Sequence, residues 1–196
     1  MMRLRLTNYL LMGTIGSVLM GGVGSQIPVQ AQPDPVQQLI ETNRCLRCNL
    51  TNADLSGLDL QGANLKGANL QGANLAGTNL TGANLRNVTL RLADLTNANL
   101  SGTNLAGIYF TQAILNGTDL SGSNLAWANL VQADLSYALL NGADLSHADL
   151  TGANLTGAML IEASLANAKL YQSNLTDADF TDADLTGAIM PDGSRN

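Results

Sequence analysis

One histidine, His147, and two cysteines, Cys45 and Cys48, are the only imidazole and thiol groups in 196 residues. A zinc-type centre wants three or four such ligands brought together, so the shortage weighs against a structural or catalytic metal. Basic residues are also scarce: nine Lys and Arg stand against fifteen Asp and Glu, for a formal net charge of −6. That balance disfavours nucleic acid and anionic membrane surfaces as partners, because both recruit clustered Lys and Arg. The acids Asp177, Asp179, Asp182 and Asp184 match neither the EF-hand loop nor the glycine-rich calcium nonapeptide. No cofactor and no metal are expected.

Long apolar runs are equally rare. One stretch, Leu10 to Val23, follows Arg3 and Arg5 and precedes Val29-Gln30-Ala31, where a small residue stands at a signal-peptidase position. Residues 1–31 are therefore expected to be a secretory signal peptide, with a mature chain starting at Gln32. The alternative is an uncleaved anchor, since a membrane span needs about 20 apolar residues. Gly13, Gly16, Gly21, Gly22 and Gly24, with polar Ser25 and Gln26, weigh against it. After cleavage no membrane association is expected.

What the chain does have is a period. From Leu50 to Met190 an apolar residue falls on every fifth position, 29 in all: 26 Leu, Phe110, Phe180 and Met190. Two residues earlier stands something small, Ala in 20 of the 29 units. Asn or Asp precedes the Leu in 21 of them. Five suits neither regular element. On a helix, which repeats every 3.6 residues, it would walk the Leu around the axis. On a strand it would alternate them between faces. The pattern works if each unit is a short extended side followed by a bend, so that the chain winds about an axis. Four units would then close one square turn, and residues twenty apart would be vertical neighbours about 4.8 Å apart. Leu and the small residue point inward; the other three point outward.

Units such as Ala63-Asn64-Leu65-Lys66-Gly67 resemble the pentapeptide-repeat family, whose unit reads A-(D/N)-L-X-X. The resemblance covers residues 48–190 and implies an all-β solenoid. In that family the solenoid is a right-handed quadrilateral β-helix, here of about seven coils at twenty residues each. Exported members are common in cyanobacteria, which implies a periplasmic or thylakoid-lumen location, or secretion. Some relatives are acidic rods that bind DNA gyrase, which implies a second reading as a DNA mimic; that reading requires a cytoplasmic protein.

Before the repeat, residues 33–44 read as one short capping α-helix. Asp34 is a capping residue, Pro35 suits the first helical position and Gln37 stands where a capping-box partner would. Val36, Leu39 and Ile40 form one apolar edge that could cover the open first coil. Residues 32–47 thus make a capping helix and Cys turn, and 191–196 a C-terminal tail. Cys45 and Cys48 fall on inward slots across one bend, close enough for a disulfide pinning cap to coil. The alternatives are a pair of free thiols and a redox pair; the latter would want a helix beginning at the first Cys, whereas here one ends.

Departures from the unit carry the functional information. Leu139 and Met159 are twenty apart and should stack on one face, with Ile161 beside them. Trp127 and His147 are also twenty apart and should stack on another. Contiguous exposed apolar area marks contact surfaces, so these five are the candidate interaction residues, whether for an unknown protein partner, for self-association or for a homodimer. Asp144 and Asp149 repeat only because the unit repeats, and no catalytic residue is expected. Charge is uneven too. Residues 32–92 hold five basic and four acidic groups; residues 93–196 hold two and eleven. The expected function is a non-catalytic scaffold for protein interaction outside the cytoplasm.

Overall fold

The structure is a computed structural model that describes residues 34–196; the expected signal segment 1–31 lies outside the described residues. Each five-residue unit repeats one set of bonds. Leu50 N–H donates to the Asn69 carbonyl at 2.8 Å, Asn69 N–H returns to the Cys48 carbonyl at 2.9 Å, and Asn52 N–H at the bend donates to Gln71 at 2.9 Å. A further bond, Ala53 N–H to Leu50 at 3.0 Å, closes the bend itself. The pairing is parallel and always joins residues twenty apart, from Arg44 with Asn64 to Lys169 with Ile189. Four units therefore make one coil, and every side of the column is a file of short parallel bridges.

The inward files are the core. From Leu50 to Leu170 every residue on the fifth-position slot is at most 2 % exposed, Phe110 included. Removing one such side chain from water contributes about 1.5–3 kcal/mol. Where the small slot carries a hydroxyl instead of Ala, the hydroxyl finds a carbonyl: Thr78 donates to Leu55 at 2.9 Å, Thr118 to Leu95 at 2.7 Å. Each bend ends on a residue with left-handed backbone, for example Gly57 at φ +65° and Gly67 at +72°. Glycine adopts that conformation freely, whereas other residues meet their own Cβ. The Asn or Asp slot braces the bend: the Asn154 side chain accepts from Thr156 N–H at 3.2 Å and from the Thr156 hydroxyl at 2.7 Å.

The first coil is covered by α1, Pro35–Thr42. Asp34 accepts from Val36 N–H at 3.1 Å, and Asn43 ends the helix in a left-handed conformation with its N–H on Leu39. Leu39 is fully buried on the coil beneath. The helix is shorter than the 33–44 expected, because Arg44 already pairs with Asn64 as the first rung. Two details differ from the capping scheme. Gln37 donates to Glu41 at 2.6 Å instead of reaching back to the cap. Ile40 is half exposed, so the apolar edge narrows to Val36 and Leu39. At the other end the tail folds back: Met190 N–H donates to Ser194 at 2.7 Å, and Ile189 pairs antiparallel with Arg195.

The ladder is interrupted once. Asn84 and Asn104, twenty apart, do not pair, although Asn79 with Asn99 and Thr89 with Tyr109 do.

Candidate functional site

Cys45 and Cys48 are joined in a disulfide, with Cα atoms 5.3 Å apart. Cys45 is completely buried, and its sulfur lies 3.3 Å from the Pro35 carbonyl at the start of α1. The bridge therefore locks the residues that link helix to first coil.

Trp127 and His147 stack with ring centroids 4.1 Å apart and planes 9° from parallel. Both stand at a corner of the column and not on a flat side, because each occupies the left-handed position of its bend (φ +63° and +58°). Trp127 is 67 % exposed. Bulky residues with positive φ carry a backbone cost of roughly 1 kcal/mol or more, which glycine at the same slot avoids. Tyr137 shares that conformation at φ +58° and lays its ring over Gly157, where a Cβ would meet it at 2.7 Å. Leu139 pairs with Met159 on one side of the column. Met159 is exposed and Leu139 half-buried, while Ile161 N–H donates to the Asn141 side-chain oxygen at 3.1 Å. Leu139 and Met159 lie on a side that the Trp127 corner does not border, and Ile161 stands in the bend that follows Met159.

The carboxylates are braced and dispersed. Hydrogen bonds from the Ser56 hydroxyl and N–H hold Asp54 below the usual carboxylate value. Thr181, Thr186 and Ser194 do the same for Asp179, Asp184 and Asp192. For Asp149 burial pushes upward, but the Thr151 bonds together with Lys169, 3.4 Å away, win and lower it. Asp144 pairs with Asn124 and Ser164, whereas Asp149 pairs with Asn129 and Lys169, so the two acids belong to different sides. Among the described residues no three His, Cys, Asp or Glu groups gather as a metal site. No described helix is long and apolar enough to cross a membrane.

Two features were not foreseen from the order of residues. The tail's return over the last coil leaves no periodic trace. Beside the missing rung, Val88 and Ile108, both in small slots and twenty apart, place two large branched side chains on successive levels of one file, on the side whose own rung, Thr89 with Tyr109, is intact.

A column of five-residue units with four sides, filled by Leu and Ala and braced by Asn and Asp, defines a class of repeat protein. The sequence profile described as pentapeptide repeats matches residues 48–87, 93–130, 128–165 and 159–192 in eight copies, and the chain belongs to that family. Proteins of the family form right-handed quadrilateral β-helices and are generally non-catalytic structural or interaction proteins. Among solved structures the chain is similar to HetL, a pentapeptide repeat protein involved in heterocyst differentiation regulation from the cyanobacterium Nostoc sp. strain PCC 7120. Identity is 29 % over 77 % of this chain and 92 % of that one, at a TM-score of 0.24. It is also similar to Rfr23 of the cyanobacterium Cyanothece 51142, with 27 % identity over 79 % and 91 % of the two chains and a TM-score of 0.39. A third, the plasmid-mediated fluoroquinolone resistance protein QnrB1, shows 21 % identity over 72 % and 86 %, with a TM-score of 0.38. No curated protein matches the chain.

Proposed function

We propose that this protein is a non-catalytic scaffold that holds a protein partner, or a second copy of itself, in an extracytoplasmic compartment. The observation that carries the reading is the Trp127–His147 stack, set at an exposed corner in a backbone conformation that glycine would adopt at lower cost. Large aromatic side chains held against backbone strain are seldom kept for packing when they touch mainly water. The Leu139–Met159 patch adds a second apolar area. The extracytoplasmic placing rests on the basic start, apolar run and small residues of segment 1–31.

The test is crosslinking in the native cell, with fractionation. The scaffold reading expects a mature chain lacking residues 1–31 outside the cytoplasm. It also expects a crosslinked species that fades when Trp127 and His147 are both replaced by Gly, or Leu139 and Met159 both by Ser, while the fold persists. A cytoplasmic protein retaining Met1 would sink the placing and turn the reading towards an acidic, DNA-like rod. Crosslinks indifferent to both pairs of substitutions would sink the surface.

A further inference from the structure

The interruption of the ladder opens a cleft of about 490 Å³ between residues 85–89 of one coil and 104–109 of the next. Its walls are main chain that has lost its partners. The N–H groups of Leu85 and Asn87, and that of Asn104 opposite, make none of the inter-coil bonds that the corresponding groups make along the rest of the described ladder. The carbonyl of Ala83, which Asn104 would have met, is likewise left over. Pairing resumes at once on either side, with Leu80 N–H on Asn99 at 2.8 Å and Leu90 N–H on Tyr109 at 3.0 Å. Beside the open rung, Ile108 stands over Val88 and Phe110 over Leu90 where most units carry Ala and Leu, on the side whose own rung still closes. Close-packed files absorb such excess volume poorly, so trimming it is expected to let the neighbouring rung close. The family profile also leaves residues 88–92 unmatched.

One corner of this cleft is basic. Arg86 lines it, and Lys66 and Arg47 continue the same corner around an adjoining hollow of about 680 Å³ that includes Asn87. The one ion pair among the described residues is Lys169 with Asp149, so none of these three cations is in ion-pair contact with a carboxylate. Tyr109 stands 56 % exposed at the rim. A chain that is acidic as a whole has therefore gathered unpaired cations beside unpaired main-chain groups.

We propose that this cleft binds an extended, acidic peptide segment of another protein. A peptide backbone carries N–H and C=O groups in alternation, so it can satisfy donors and acceptors together, as in strand addition at a sheet edge. Acidic side chains or a terminal carboxylate then meet Arg86, Lys66 and Arg47. This site is independent of the Trp127–His147 and Leu139–Met159 surfaces; either can fail without the other.

The probe is a fluorescein-labelled hexapeptide of alternating Val and Asp, titrated against the protein by fluorescence anisotropy and by amide hydrogen exchange. Saturable binding is expected, with slowed exchange at Leu85, Asn87 and Asn104. Binding should weaken by about tenfold or more when alternate peptide amides are N-methylated, when Lys replaces Asp in the peptide, and in Arg86→Glu. The double substitution Val88→Ala with Ile108→Ala should close the ladder, protect those amides without peptide, and abolish binding. Absence of binding at millimolar peptide would overturn the proposal. Equal binding by the N-methylated peptide, or by a Val88→Ala/Ile108→Ala protein whose ladder has closed, would overturn it as well, since charge alone would then account for the contact. If that double variant fails to fold, the N-methylated peptide on the native protein decides.

Discussion

At the residue scale each five-residue unit asks three things of its side chains. One must fill the core, one must brace the bend, and one must tolerate a left-handed backbone. The bracing role is the least visible in composition and is directly testable. Asn154 accepts two bonds from Thr156 and donates to Asp134 at 3.0 Å, partly shielded from water. Asn154→Ala is expected to lower stability by about 1–2 kcal/mol, read as a shift in the midpoint of urea unfolding. The corner role gives the opposite expectation. At Trp127 glycine removes the backbone cost of the left-handed turn and also the stacking on His147, each roughly 1 kcal/mol. Trp127→Gly should therefore leave the unfolding midpoint nearly unchanged while removing the crosslinked species; a large loss of stability would show that the ring serves the fold instead.

Residues also show where sequence reading reached and where it stopped. The inward files, the twenty-residue neighbour rule and the stacking of Trp127 on His147 are all legible, because a fixed period converts sequence separation directly into position. That the pair stands on a corner and not a side follows from φ at its slot, which the choice of Trp and His conceals by replacing Gly. The Asn84–Asn104 gap was less accessible. Its own inward residues, Ala83 with Leu85 and Thr103 with Leu105, stay close to the repeat pattern, so a unit-by-unit comparison with that pattern does not mark it.

At the scale of elements, α1 and the Cys45–Cys48 turn act as one device. The helix is only eight residues long and would be marginal alone in water. Its stability comes from Leu39, buried on the first coil, and from tethers such as Asn43 Nδ2 to the Gln61 carbonyl at 2.9 Å. The helix was readable from Asp34, Pro35 and the apolar spacing. Its end was not, because Arg44 is claimed by the ladder before the helical pattern runs out. A loop closed across so few residues constrains the unfolded chain modestly, by about 2 kcal/mol in the chain-entropy picture. Replacing both cysteines by Ser should accordingly cost about that much. The loss should appear as faster amide exchange confined to residues 35–60, since repeat arrays transmit stability mainly to neighbours. Uniform loss along the whole column would mean the bridge supports more than the cap.

For the whole molecule the two ends are unlike. The first coil is covered by a helix and a disulfide, whereas Leu175, Phe180, Leu185 and Met190 in the last coils stay partly exposed under a short returning tail. That same end carries Asp179, Asp184 and Asp192, each held below the ordinary carboxyl value of 3.8 by hydroxyl and N–H bonds from Thr181, Thr186 and Ser194. A carboxyl whose pKa is lowered by folding contributes stability above its unfolded value and loses it as pH falls through the folded one. Acid should therefore loosen the C-terminal coils first, beginning near pH 4 and deepening below it. Neutralising the acidic half works the other way by relieving repulsion. Those exposed charges are screened beyond about 8 Å at physiological salt, however, while the hydroxyl bonds are in direct contact, so the bonds should prevail. Hydrogen exchange at pH 6 and pH 3, corrected for intrinsic rates, is expected to show residues 175–190 losing protection while residues 90–165 keep theirs. Dilution tells fraying from association, because an end buried against a second copy would hold its protection at high concentration and lose it only when diluted. Protection that stays level from Leu50 to Met190 at both pH values would show that the tail seals its end as well as α1 seals the other.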